Sequence, residues 1–247
     1  MQELKNAVWN RYMFLSVSVA AFVLCLTFHT YQLWNCGLDV LELIMYPMEL
    51  SGFAPFAALF PVMPYSLRFA DEFNSGFIRH VLIREKKKSY IRKKLFATAA
   101  AGGVMMAAAY SIVFLLAWSN GTPARLIGPE WSSYSNTIWY PLIPIWDGRL
   151  VLILRVLLVF LFGMVWAMMA LLITTIFINR YVAVAVTFLV YQIWWLADSP
   201  YNCVGLLHAG GPVYDWVYAN PYVMQLATVT VLFLITGKTM ERKLKDV

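Results

Sequence analysis

Residues 69–95 read FADEFNSGFIRHVLIREKKKSYIRKKL. The stretch carries Arg79, Arg84, Lys86, Lys87, Lys88, Arg92, Lys93 and Lys94. On both sides of it the chain is almost pure hydrocarbon: residues 50–67 and 95–124 contain no Asp, Glu, Lys or Arg. A basic segment between two apolar windows marks a place where a chain leaves a membrane and returns to it.

The same alternation runs through the rest of the sequence. Residues 12–38, 156–179, 181–197 and 216–237 are also free of those four residue types. A helix needs about 20 apolar residues to cross the roughly 30 Å hydrocarbon core. The six windows therefore predict an all-α polytopic membrane protein with six transmembrane helices. Composition agrees: 61% of the 247 residues are hydrophobic, mean hydropathy is +0.66, and 13% are charged, against about a quarter in a soluble domain. This argues against a soluble protein with buried helices. Lys5 and Arg11 precede the first apolar run as in a signal peptide, but the run continues to Gly37 with no clear A-x-A site, so a retained first helix is expected.

Charge sets the orientation. With a cytoplasmic N-terminus, the inside segments hold Lys5, Arg11, Arg68, the eight basic residues of the quoted stretch, Arg180, Lys238, Arg242, Lys243 and Lys245, and the outside keeps Arg125, Arg149 and Arg155. That is the positive-inside pattern. It places both termini in the cytoplasm and makes the net charge of +6 a matter of topology and anionic headgroups, with membrane lipids as partners and no nucleic acid.

Within a single transmembrane domain spanning 1–247, four segments stand out. Residues 1–12 read as an amphipathic N-terminal elbow helix, with Leu4, Val8 and Tyr12 at i, i+4, i+8 and Trp9 beside them, or else as the frayed start of the first span. Residues 69–94 form the cytoplasmic segment between helices 2 and 3. Residues 119–149 form an aromatic-rich extracellular loop. Residues 198–220, apolar yet full of Gly and Pro, read as an extracellular re-entrant hairpin before helix 6. The second span, about 43–67, contains Pro47, Pro55, Pro61 and Pro64 and should be kinked or broken. The third, from about Leu95, places Ala99, Gly103 and Ala107 four apart, a small-residue ridge for close helix packing.

No catalytic or metal-ligating set is read. HExxH, CxxC, GxSxG and GxxxxGK[ST] are all absent, so the chain should not hydrolyse ATP alone. Asp71, Glu72 and His80 lie close in sequence and leave an intramembrane hydrolase as a minor alternative, although they sit in the basic cytoplasmic segment. Cys36 and Cys203 both fall on the expected outer side, where a disulfide or two unpaired thiols are both open.

Residues Phe69–Ile78 resemble the segment that follows the second span in permease subunits of the type-2 ABC transporter family. There an acidic residue stands four positions before a glycine and a basic helix leads into span three. Glu72 and Gly76 occupy those positions here, and the continuation REKKKSYIRKK is more basic than the family's usual one. The six-span layout, the amphipathic N-terminal segment and the outer hairpin before helix 6 also resemble the family, so the likeness covers nearly the whole chain. It implies a bacterial plasma-membrane permease subunit with no catalytic activity. A second permease subunit, identical or homologous, and separate ABC ATPase subunits would be its partners, with ATP and Mg bound by the ATPase and no cofactor by this chain. It also implies a coupling helix seated in a cleft of the ATPase, formed by Phe69, Asp71, Glu72, Phe73, Gly76 and Phe77. In this reading Phe69, Phe73 and Phe77 make an apolar ridge, and Glu72 pairs with a basic residue on the partner or at the elbow helix.

A cargo path is read from polar residues inside spans. Glu49 lies within the second span, either snorkelling or facing a cavity; Gln192 and Gln225, on spans five and six, are candidates for the path or for inter-helix hydrogen bonds. Abundant Met and aromatic residues suit an amphipathic or lipophilic substrate: a peptide antibiotic, a lipid or a drug. A membrane scaffold or receptor subunit with no transport path is the alternative from another class.

Overall fold

The computed structural model describes residues 2–34, 53–120, 142, 145–196 and 220–245, and every regular element among them is helical. A short helix α1 (Gln2–Val8) leads through a bend into α2 (Arg11–Trp34). After a 3-10 turn at Ala54–Phe56 come three short helices, α3 (Leu59–Val62), α4 (Arg68–Asn74) and α5 (Phe77–Arg84). Then follow the long helices α6 (Lys87–Asn120) and α7 (Arg149–Phe177), then α8 (Arg180–Leu196) and α9 (Pro221–Lys243).

Four of these helices, α2, α6, α7 and α9, are long and apolar enough to cross a membrane. Helix α8 is apolar but has 17 residues, roughly 25 Å at 1.5 Å per residue. The burial pattern is compatible with a lipid surrounding. Phe22, Leu26, Leu189, Ile193, Leu226 and Leu234 are exposed, while Thr174, Thr175, Thr187 and Gln225 are buried. Each of those threonine hydroxyls donates to the carbonyl four residues back, at 2.6–2.8 Å, so these three donors are satisfied within their own helices.

Helices α6 and α7 form the central pair, with α9 and α8 against α7 and with α1 and α2 against α6. Of the small-residue ridge expected at Ala99, Gly103 and Ala107, Gly103 lies against α7, but the tightest point is one residue away. A Cβ built on Gly102 would collide with Ala167 and the backbone of Gly163, and one on Gly163 with the backbone of Gly102. Gly103 faces the ring of Phe160. In lipid, helix pairs gain little from excluding water, so close backbone approach of this kind supplies the attraction.

The second span is not one helix within its described part. Residues 53–67 break into the 3-10 turn, α3 and turns, in a segment holding Pro55, Pro61 and Pro64. Helix α8 bonds two carbonyls of this broken stretch: Tyr191 Oη donates to Ala54 O, and Gln192 Nε2 donates to Pro55 O at 2.6 Å. Tyr191 is itself held edge-on to Trp166 of α7, ring centroids 5.0 Å apart. The third helix also departs from expectation. It begins at Lys87 rather than near Leu95, so the basic run 87–94 is the first two turns of the membrane helix.

Candidate functional site at the base of the bundle

Segments far apart in sequence meet at one end of the bundle. Asn10 Nδ2 donates to Pro64 O at 2.9 Å. Asn74 Nδ2, at the end of α4, donates to Ile178 O in the α7–α8 turn at 3.3 Å. Tyr90, Ile91 and Leu95 of α6 share a buried cluster with Phe69, Ile78, Met240 and Leu244. The start of the chain, the α4–α5 segment, the α7–α8 turn and the end of α9 are therefore on one side. These are the segments the charge pattern groups together.

Glu72 is the centre of this base. Its side chain is 9% exposed and faces Lys94, which is 1% exposed. Lys94 Nζ donates to Glu72 Oε1 and Oε2, both at 2.8 Å. Tyr90 Oη donates to Glu72 Oε2 at 2.9 Å, and Arg68 Nε lies 2.9 Å from Oε1. The third ammonium proton of Lys94 has Tyr65 Oη at 3.4 Å, with the Tyr65 ring centroid 4.4 Å away. Tyr65 Oη in turn donates to the carboxylate of Glu3 on α1. A buried ion pair survives desolvation only if its remaining donors and acceptors are also satisfied, and this one meets that condition. One carboxylate thus ties α4 to α6 and, through Tyr65, to α1.

This geometry revises the expected partner of Glu72. It does not reach outward or to a basic residue of the N-terminal helix; its partners are Lys94 and Arg68. Lys94, grouped by sequence with the topology-setting lysines, belongs inside. The signal for it was present in the spacing: Tyr90, Lys94, Ala97 and Ala101 fall at i, i+4, i+7 and i+11, and all four are buried. That stripe is visible only if the helix is run back past Leu95. A second, outer pair forms one face away. Lys93 bonds Glu85, whose Oε1 also accepts from Ser89 Oγ at 3.0 Å. The Lys93 ammonium beside it holds the Glu85 carboxyl below its ordinary range.

The expected Phe ridge is not continuous. Phe69 is fully buried in the chain's own core, and Phe73 packs against that core with its ring 6.1 Å from Phe69. The helix then breaks: Gly76 adopts φ 71°, and α5 starts in a new direction at Phe77. A Cβ at Gly76 would meet nothing within 4 Å, so the glycine is required by its left-handed backbone and not by space. Phe77, 50% exposed, and Asp71 remain on the surface. Asp71 Oδ1 lies 4.0 Å from Arg180 Nη1. Ile178, whose carbonyl takes the Asn74 bond, is a β-branched residue at φ 50°. That is a strained conformation, placed where α4 touches the turn between α7 and α8.

Among the other candidates, Gln192 is engaged with Pro55 O and Gln225 is buried on α9. Glu49, Cys36 and Cys203, with the outer loop and hairpin but for a few residues at their ends, lie outside the described residues. Among the described residues no group of His, Cys, Asp and Glu is arranged to hold a metal ion; His80 and Asp71 are exposed while Glu72 is buried in its ion pair. Compared with protein-family models, with curated proteins and with solved structures, the chain gives no match.

Proposed function

We propose that the chain is the six-span permease subunit of an ATP-driven exporter of the type-2 ABC class. It would sit in a bacterial plasma membrane with both termini cytoplasmic, paired with a second permease and driven by separate ATPase subunits. The observation that carries this reading is the way α4 is fixed. It is bonded to the foot of α6 by Glu72 and Lys94, to the α7–α8 turn by Asn74, and through Tyr65 to α1. A subunit with no nucleotide site of its own must receive mechanical work at such an element. A push on a loosely tethered loop would be dissipated; a push on α4 would reach α1, α6 and the turn joining α7 to α8 together.

The burial pattern also redistributes roles among the coupling residues implied by the family resemblance. Glu72, Phe69 and in part Phe73 anchor the lever from within. Asp71 and Phe77, across the Gly76 turn, are the surface offered to the ATPase. An amphipathic or lipophilic cargo, such as a peptide antibiotic, lipid or drug, suits the apolar, Met-rich chain.

The test is co-expression with a Walker-motif ATPase from the source genome, with co-purification and substrate-stimulated hydrolysis as readouts. Phe77→Asp and Asp71→Ala should abolish stimulated hydrolysis while the permease keeps its helical content and elution volume. Failure of the wild-type chain to retain or stimulate any such ATPase would favour a scaffold or receptor and defeat the proposal.

A further inference from the structure

A cavity of about 1310 Å³ opens beside the Glu72 cluster, between the start of α2, α3, α4 and the first turns of α8. Its two halves differ in chemistry. One half is lined by Arg11, Arg68 and Arg180, all with exposed or partly exposed side chains. The other is lined by Met63, Val184 and Phe188. Phe188 lies flat against Phe56, ring centroids 5.7 Å apart, which makes a smooth apolar wall.

The arginines are under-compensated. The carboxylates in the lining are Asp71 and Glu72. Glu72 is already matched from behind by buried Lys94. Asp71 reaches Arg180 at a loose 4.0 Å, and Arg11 has no carboxylate partner among the described residues. Arg68 keeps one nitrogen on Glu72 and Arg180 donates to Tyr181 Oη at 2.8 Å; guanidinium groups, with five donors each, are the preferred partners of phosphate oxygens. Trp9, Tyr12 and Tyr181 are exposed in the lining of the same cavity, the residue types found at headgroup height. The volume exceeds the roughly 300–1,000 Å³ of ordinary small-molecule sites.

We infer that this cavity binds an anionic glycerophospholipid. Its phosphate sits among Arg11, Arg68 and Arg180, and an acyl chain runs over Met63, Val184 and Phe188. A cationic mouth continuous with an apolar trough fits an amphipath; a free inorganic anion would leave the trough empty. The lipid would lie against the lever α4 and the start of α8, so its occupancy would brace the element proposed to receive work. The lipid site itself does not depend on the transporter reading.

The experiment measures lipid binding to the detergent-purified chain by native mass spectrometry and by the shift in thermal unfolding temperature. The probes are dioleoyl phosphatidylglycerol, dioleoyl phosphatidylcholine and inorganic phosphate. Phosphatidylglycerol should bind and stabilise, and the other two should not. Arg11→Gln with Arg180→Gln should weaken phosphatidylglycerol at least about tenfold, while Lys88→Gln with Arg92→Gln, equal in charge and exposed outside the cavity, should leave it unchanged. Ala185 also lines the cavity, next to Val184, and Ala185→Trp, which adds bulk there, should also weaken binding without touching an arginine. Equal stabilisation by phosphatidylcholine, equal loss in both arginine and control variants, or full reproduction of the effect by inorganic phosphate would each overturn the inference.

Discussion

Two carboxylate–ammonium pairs hold the foot of α6, and they belong to different physical regimes. The outer pair joins Lys93, 48% exposed, to Glu85, 26% exposed. The inner pair joins Lys94 to Glu72, and both are buried. The two lysines are adjacent in sequence and identical in formal charge. A helix turns about 100° between neighbours, which is enough to put one in solvent and the other in the core. In water the outer pair gains little, because screening and side-chain entropy offset the Coulomb term. The inner pair has surrendered its hydration and relies on a complete set of hydrogen bonds. Removing one partner there strands a buried charge.

The largest expected effect follows from that contrast. Glu72→Gln or Lys94→Met alone should lower stability by about 3–5 kcal/mol, read as loss of thermal stability in detergent or loss of monodisperse protein. Next comes the glycine crossing of α6 and α7, a junction with no charge at all. Gly163→Val forces its side chain into the backbone of Gly102 and should cost at least about 1–3 kcal/mol. If it proved neutral, the polar base rather than the apolar crossing would be holding the pair together. A smaller pair of opposite sign tests the two backbone turns that flank the inner cluster. Gly76→Ala places a side chain at φ 71° and should destabilise by about 1 kcal/mol, whereas Ile178→Gly relieves φ 50° and should stabilise by a similar amount. The smallest effect belongs to the outer pair. Lys93→Met should change stability by under about 1 kcal/mol, and less still in high salt. Because the Glu85 carboxyl is depressed, its contribution is present above the ordinary carboxylate range and is lost as pH falls through the lowered value. A pH titration of wild type against Lys93→Met should show the difference closing at low pH.

The same contrast explains what could be read from the chain before its fold was known. Charge-free windows are long-range averages, and they locate α2, α6, α7 and α9 well, since each must satisfy its backbone internally and face lipid. The proline-rich window 50–67 signals its break, because each ring removes a donor. Gly76 stands out too, as the lone glycine between residues 53 and 101, although its left-handed backbone is seen only in the fold. Fates of single side chains are less accessible. Lys94 carries the same label as Lys93, and the choice between them depends on where the helix begins, at Lys87 and not at Leu95. Phe69 and Phe73 share a helical row, yet which way that row faces is decided by Tyr90, Ile91 and Leu95 packing on it. Gly163 is a lone glycine in an apolar run, and its importance appears only once Gly102 lies against it.

Glu72 and Lys94 act as one buried bolt between α4 and α6. A double-mutant cycle over Glu72→Gln and Lys94→Met, measured by thermal unfolding in detergent and run beside the same cycle for Glu85 and Lys93, addresses that directly. A coupling energy above about 2 kcal/mol for the inner pair and below about 0.5 kcal/mol for the outer is the predicted result. Equal, small coupling in both cycles would mean that Lys94 is one more solvated lysine and that α4 is not fastened to the membrane helices.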